Sequence, residues 1–172
     1  MTEQTPPRWL EWAREIQALS QSGLTYSSSP YESQRYNRLL EIAAEIVQVH
    51  TGLPSESLQA DFRAQVGYAT PKVDVRGAVV VDGQILLVQE RVDGCWCMPG
   101  GWADVGELPS AMVAREVWEE SGFWVSPAKV VGVFDANRGG RPLEFYHAYK
   151  VVWWCDLVGG EARTSYETAA VG

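Results

Sequence analysis

The chain has 172 residues, room for one ordinary domain and a small satellite, and enough to bury a core without disulfide staples. Hydrophobic residues make up 46% and charged residues 21%, which excludes a wholly disordered chain. Acidic residues outnumber basic ones by 22 to 14, and the resulting charge of −8 disfavours general nucleic-acid binding while leaving phosphate-bearing small molecules open where metal ions intervene.

The opening Met1-Thr2-Glu3-Gln4 has neither the basic flank nor the apolar stretch of a secretory signal. The longest apolar runs, residues 78–81 and 151–155, fall far short of a membrane span. Three cysteines cannot close a disulfide framework within the chain, and Cys95 and Cys97 are too closely spaced, and too far from any His, for a zinc site. The expectation is a cytoplasmic protein with reduced thiols and no membrane partner.

Residues 1–66 read as a helical N-terminal domain. Thr5-Pro6 suits a helix start, and Trp9, Trp12, Ala13, Ile16 and Leu19 recur at helical spacing before Gly23, which reads as a stop. Ser29 and Glu32 have the spacing of a capping box, with Pro30 just inside. Tyr36, Leu39, Leu40, Ala43, Ile46 and Val47 then form the apolar stripe of a longer helix ending near His50. A short third helix is expected over 54–63. Two short helices carrying Trp9, Trp12, Tyr31 and Tyr36 bury little alone, which points to a homodimer through this region.

From residue 67 to 172 the pattern is mixed α and β. Residues 75–81 and 85–89 read as strands joined at Asp82-Gly83, a hairpin signal. The Gly-rich stretch Pro99-Gly100-Gly101 follows, then a helix from Pro109 to Ser121 closed by Gly122. Residues 129–134 and 144–155 read as further strands, joined by a loop over 136–142.

The helix carries Glu116, Glu119 and Glu120 at i, i+3 and i+4, so three carboxylates project from one face. Like charges at that spacing repel, and the last turn holds no Lys or Arg to relieve them. Such a cluster is either a solvated acidic face or a set of hard oxygen ligands for a divalent cation such as Mg²⁺. The wider spacing decides between them. Five residues separate Gly101 from Glu107 and seven more lead to Arg115-Glu116; Val117, Glu119-Glu120, Gly122 and Phe123 follow in fixed register.

This arrangement resembles the signature of the Nudix hydrolases at every motif position. The resemblance implies a Nudix-type α/β/α sandwich with a mixed sheet, here preceded by a small helical domain. It also implies metal-dependent cleavage of a nucleoside diphosphate linked to another moiety. Carried over residue by residue, Glu116, Glu119, Glu120 and the carbonyl of Gly101 would hold Mg²⁺ or Mn²⁺, Glu107 and Arg115 would pair, and Gly122 would end the helix. Residues 72–78, 86–91 and 94–106 resemble one branch of the family, the CDP-choline and ADP-ribose pyrophosphatase type with an N-terminal helical domain. Leu108 departs from the pattern, standing where Ser or Thr often caps the helix. Residues 159–172 resemble the run into a final strand and helix of that branch, so a domain truncated at its C-terminus is one reading.

The expected substrate is a nucleotide-type small molecule. A bound divalent ion would neutralise the diphosphate and lower the pKa of water. The proton acceptor is expected to be Glu119 or Glu120, with Glu167 as a candidate outside the signature. Arg91, Arg138 and Arg141 are candidates for phosphate contact, and Trp96 for stacking on a base. Alternatives are hydrolysis of nucleoside triphosphates or RNA 5′ ends, and a non-catalytic Nudix domain that senses nucleotides.

Overall fold

The computed structural model describes residues 6–138 and 145–172, with the side chain of Arg138 also outside the description. The chain divides into two compact units, one of residues 1–71 with 137–147, the other of residues 72–136 with 148–172.

The first unit is helical: α1 (Arg8–Tyr26), α2 (Pro30–Thr51) and α3 (Ser55–Ala64). The apolar stripes read from the sequence meet in one core of Ala13, Leu40, Ala43, Ala44, Val47, Leu58 and Phe62. Ala13, Ala43 and Ala44 let the helices approach closely, and Leu40 and Phe62 fill the space between them. Helix α1 starts after its N-cap Pro7, so Pro6 is not its first helical residue, and Thr5 lies outside the described residues. Two further local expectations fail. Gly23 lies inside α1, where a Cβ would run into the ring of Tyr36, so the glycine serves helix packing and the helix continues to Tyr26. Ser29 caps nothing with its side chain; Ser27 Oγ donates to Glu32 instead, at 2.9 Å. The connection that precedes the last long strand packs with these helices: the ring of Phe145 lies against Phe62, tilted by 31° with centroids 4.7 Å apart, and its carbonyl accepts from Arg14 Nε at 2.6 Å.

The second unit is built on β1 (Lys72–Val81), β2 (Gln84–Ile85), β3 (Val88–Glu90), β4 (Trp96–Cys97), α4 (Pro109–Ser121), β5 (Phe123–Asp135), β6 (Ala148–Gly160) and β7 (Thr168–Val171). One sheet runs β2-β1-β6-β5, with β1 parallel to β6 and the other pairs antiparallel, so the sheet is mixed as expected. A second, antiparallel sheet runs β4-β3-β7. Asp82 and Gly83 both take positive φ, 51° and 78°, the two-residue hairpin turn that Asp-Gly favours.

Helix α4 lies on the mixed sheet through Met112, Val113 and Val117, which pack with Val75, Val79 and Cys155. Gly77 makes the approach close, since a Cβ there would collide with Val117. Strand β5 starts directly after the Gly122 cap rather than at 129, and β6 starts at Ala148 rather than 144. Residue 144 itself lies outside the described residues. The final strand foreseen past Glu161 is β7, which pairs with β3.

Candidate active site

The site assembles where the Gly-rich stretch crosses the end of α4. The segment from Pro99 to Ala103 runs beside β1. Gly77 and Val75 donate their N–H groups to the carbonyls of Pro99 and Gly101, at 2.9 and 2.8 Å, and Ala103 N–H donates to the carbonyl of Val73 at 2.8 Å. Gly100 has φ of 147°, and a Cβ on it would run into the Val75 carbonyl. Gly101 lies under Glu116, where a Cβ would come within 2.9 Å of Oε2. Glycine is required at 100, where a Cβ would meet backbone, whereas at 101 its absence of a Cβ leaves room for the flexible end of Glu116. The Gly101 carbonyl spends one lone pair on Val75 and keeps another.

The carboxylates of α4 differ sharply in environment. Glu120 is 7% exposed and accepts from Gly100 N–H at 2.9 Å. Burial pushes its carboxyl up to about 7, with Glu116 and Glu167 adding to the rise while the Gly100 hydrogen bond and the Arg76 charge oppose it. Glu116 is also mostly covered, and burial pushes it above the usual carboxylate range, with Arg115 opposing and Glu119 and Glu167 adding to the rise. Glu119 is the exposed member, paired with Arg115 Nη1 at 2.9 Å.

Arg115 organises the loop ahead of the helix. Its guanidinium grips Glu107 through two hydrogen bonds, 3.1 and 2.9 Å, and reaches Asp104, Glu116 and Glu119, each at 2.9 Å. That pairing holds Glu107 below the usual carboxylate range. It also supplies the positive charge between Glu116 and Glu119; among the described residues no three His, Cys, Asp or Glu side chains converge on one point as a ready ligand cage. The start of α4 has Leu108 as its N-cap and no side-chain cap.

The other end of α4 is held differently. Gly122 caps it with φ of 81°, its N–H donating to the Trp118 carbonyl at 2.8 Å. Arg163 N–H takes the carbonyl of Ser121 and Thr168 Oγ1 that of Glu120, each at 2.8 Å, so two of the helix's last orphan acceptors are filled by the first residue of β7 and the loop ahead of it. That loop carries Glu167, exposed and within electrostatic reach of Glu116 and Glu120.

Of the candidate substrate contacts, Arg91 directs Nε and Nη2 to the carbonyl of Ser165, both at 3.3 Å. Trp96 sits on β4, 47% exposed, with its ring beside Gly172. Arg141 and the Arg138 side chain fall outside the described residues. The sequence reading missed Asp74 and Arg76, a buried bidentate pair at 2.8 and 2.9 Å whose arginine also donates to the carbonyl of Met98, next to Pro99. Their signal was available: two opposite charges at i and i+2 in a strand share a face, inside an otherwise apolar run.

Comparison with known proteins agrees with the signature. Residues 7–62 match the family described as "Nudix_N", a UDP-X-like, N-terminal oligomerisation domain, and residues 71–170 match the NUDIX domain. A Bacillus subtilis (strain 168) protein named "Putative ADP-ribose pyrophosphatase YjhB" is 37% identical over 161 residues, covering 94% of this chain and 77% of the relative. An ADP-ribose pyrophosphatase of Methanocaldococcus jannaschii is 32% identical over 100 residues, covering 56% of this chain and 57% of that protein. Among solved structures, a UDP-X diphosphatase is similar at 30% identity and a TM-score of 0.57, covering 95% of this chain and 80% of that one. An ADP-ribose pyrophosphatase from Streptococcus suis 89-1591 is similar at 41% identity and a TM-score of 0.52, covering 60% and 72%. This chain belongs to the Nudix hydrolase family, its NUDIX domain preceded by a domain of the Nudix_N type.

Proposed function

We propose that this hydrolase splits the diphosphate of a nucleoside diphosphate linked to a sugar-type moiety, of the ADP-ribose or UDP-X kind, giving a nucleoside monophosphate and the phosphorylated moiety. The observation that carries the reading is the burial of Glu116 and Glu120 against Gly100 and Gly101, with Glu167 nearby. Buried carboxylates repel one another and resist ionisation, a costly arrangement unless positive charge joins them. The relatives' names support the substrate class.

The donor chemistry suits a hard divalent cation: carboxylate oxygens of Glu116, Glu119 and Glu120 with the second lone pair of the Gly101 carbonyl. Because Arg115 holds Glu116 and Glu119 and the three do not converge here, these side chains would have to turn to meet one ion. When bound, Mg²⁺ or Mn²⁺ would supply charge neutralisation of the diphosphate and acidify water. The chain's residues do the rest. Gly100 N–H orients Glu120, and Arg115 holds Glu107 and Glu119 and so fixes the loop against the helix. Glu119 and Glu120 each commit an oxygen to these partners, which favours Glu167 as the group that takes the proton from the attacking water. Exposed Trp12, Leu19 and Tyr31 on α1 and α2 favour a homo-oligomer through the helical unit, in line with the description of the family it matches.

A product assay tests the reading. ADP-ribose, a UDP-sugar, CDP-choline and a nucleoside triphosphate are each incubated with Mg²⁺ or with EDTA. The expected products from the first two are a nucleoside monophosphate and a sugar phosphate, with Mg²⁺ only. Turnover confined to triphosphates, with pyrophosphate released, contradicts the proposal.

A further inference from the structure

The loop ahead of β7 and the strand's first residue hold an arrangement that their sequence, Ser165-Tyr-Glu-Thr168, does not advertise. Thr168 is fully buried, yet its hydroxyl is surrounded by polar partners. Thr168 Oγ1 donates to the carbonyl of Glu120 at 2.8 Å, and it accepts from the N–H of Ser165 at 2.9 Å. Its second neighbour is Ser165 Oγ, at 3.0 Å. A hydroxyl has one proton, and that of Thr168 goes to Glu120, so Ser165 must be the donor in the hydroxyl pair. Ser165 Oγ then has lone pairs to accept, and the N–H groups of Glu167 and Thr168 both point to it, at 3.1 Å each. Every proton in the chain is thereby assigned a direction, from the Glu167 backbone through two hydroxyls to the backbone of Glu120.

Arg91 closes the loop from outside. Its own N–H donates to the Glu167 carbonyl at 2.8 Å, and its guanidinium caps the Ser165 carbonyl. Residues on both sides of Glu167 are thus held, while its side chain is exposed and within electrostatic reach of Glu116 and Glu120. One hydroxyl, that of Thr168, ties the main chain of Glu120 to the segment that presents Glu167.

We propose that Thr168 and Ser165, clamped by Arg91, are positioning residues that fix Glu167 against the last turn of α4, so that the proton acceptor and the α4 carboxylates keep one geometry. The inference rests on the reading of Glu167 as proton acceptor in the proposed reaction. It reassigns Arg91 from a phosphate contact to a brace of this loop.

The test is a mutant cycle on the full chain with ADP-ribose and Mg²⁺. Thr168→Val keeps the shape and removes the hydroxyl; Thr168→Ser restores it. Thr168→Val is expected to lower kcat by about 10-fold or more, a part of what general-base catalysis supplies, with KM and the Mg²⁺ activation constant changed less than about 2-fold. Thr168→Ser should stay within about 3-fold of the parent, and in a Glu167→Gln background Thr168→Val should change kcat by less than about 2-fold. An equal fall in both backgrounds, or a change in the Mg²⁺ constant with kcat intact, overturns the proposal, because Thr168 would then act through α4 alone. Amide exchange gives a second readout that needs no turnover. Exchange over 165–168 should quicken in Thr168→Val and not in Thr168→Ser. If the parent released no monophosphate, the functional reading would fail, while unchanged exchange in Thr168→Val would sink the positioning claim separately.

Discussion

The two units bury different things. The helical unit buries Ala13, Leu40, Ala43, Ala44, Val47 and Phe62, and its buried polar side chains, Gln17, Ser20 and Gln21, are all neutral. The α/β unit buries Asp74, Arg76 and Glu120, so every buried charge among the described residues lies there. Burying a charge opposes folding unless a partner compensates. Asp74 and Arg76 compensate each other through two hydrogen bonds. Glu120 has a backbone N–H and a more distant cation against two neighbouring carboxylates. The first unit is therefore organised for stability, and the second accepts an electrostatic cost at one turn of one helix.

The contrast can be broken most directly at Glu120. Glu120→Gln keeps the shape and the acceptor for Gly100 N–H but removes the charge. It should lower turnover by at least about 10²-fold, close to 2.7 kcal/mol in the barrier. The variant should nevertheless melt no earlier than the parent in EDTA at pH 8. A variant that is both active and less stable would erase the distinction between the units.

Leu40→Ala is the converse experiment. Leu40 is fully buried in the helical core, and its truncation should cost about 2–5 kcal/mol of stability, read in a denaturant melt. At temperatures where the variant is folded, kcat should match the parent. A fall in kcat as large as that of Glu120→Gln would place part of the chemistry in the helices.

The smallest effect is a pH trend. The Glu120 carboxyl lies at about 7 in the folded chain against an ordinary value of 4.5. Between those values the folded state holds the extra proton, so stability falls as pH rises through the window. Glu107, held low by Arg115, acts in the opposite sense and loses its contribution as pH falls. The informative quantity is thus the difference between parent and Glu120→Gln in EDTA from pH 5 to pH 8. The parent should lose stability relative to the variant across that range, and parallel curves would contradict the assignment.

Much of this was legible in the sequence, for identifiable reasons. Helical periodicity pointed to α1 and α2, because their buried faces are local apolar stripes, and α3 lies where a short third helix is expected, over 54–63. The Asp82-Gly83 hairpin and the Gly122 cap followed from backbone conformations that few residues tolerate. Glu116, Glu119 and Glu120 were visible from spacing, and the geometry then separated them into two covered side chains and one exposed one. What the sequence hid depends on contacts between distant segments. Gly23 looked like a helix stop because its real constraint is the Tyr36 ring on the next helix. The link from Thr168 to Glu120 across 48 positions has no local signature, since it is made by the fold that brings β7 and α4 together, whereas the Asp74–Arg76 pair was readable at i and i+2 of one strand and was passed over.

The central claim is that the covered carboxylates at the end of α4 gather divalent cations. Mn²⁺ binding, followed by the loss of the free-ion electron spin resonance signal at pH 8, tests it without substrate or turnover. The account predicts saturable binding by the parent and at least about 10-fold weaker binding by Glu120→Gln, the loss expected when one charged ligand is removed. Equal affinity in the two proteins would contradict it.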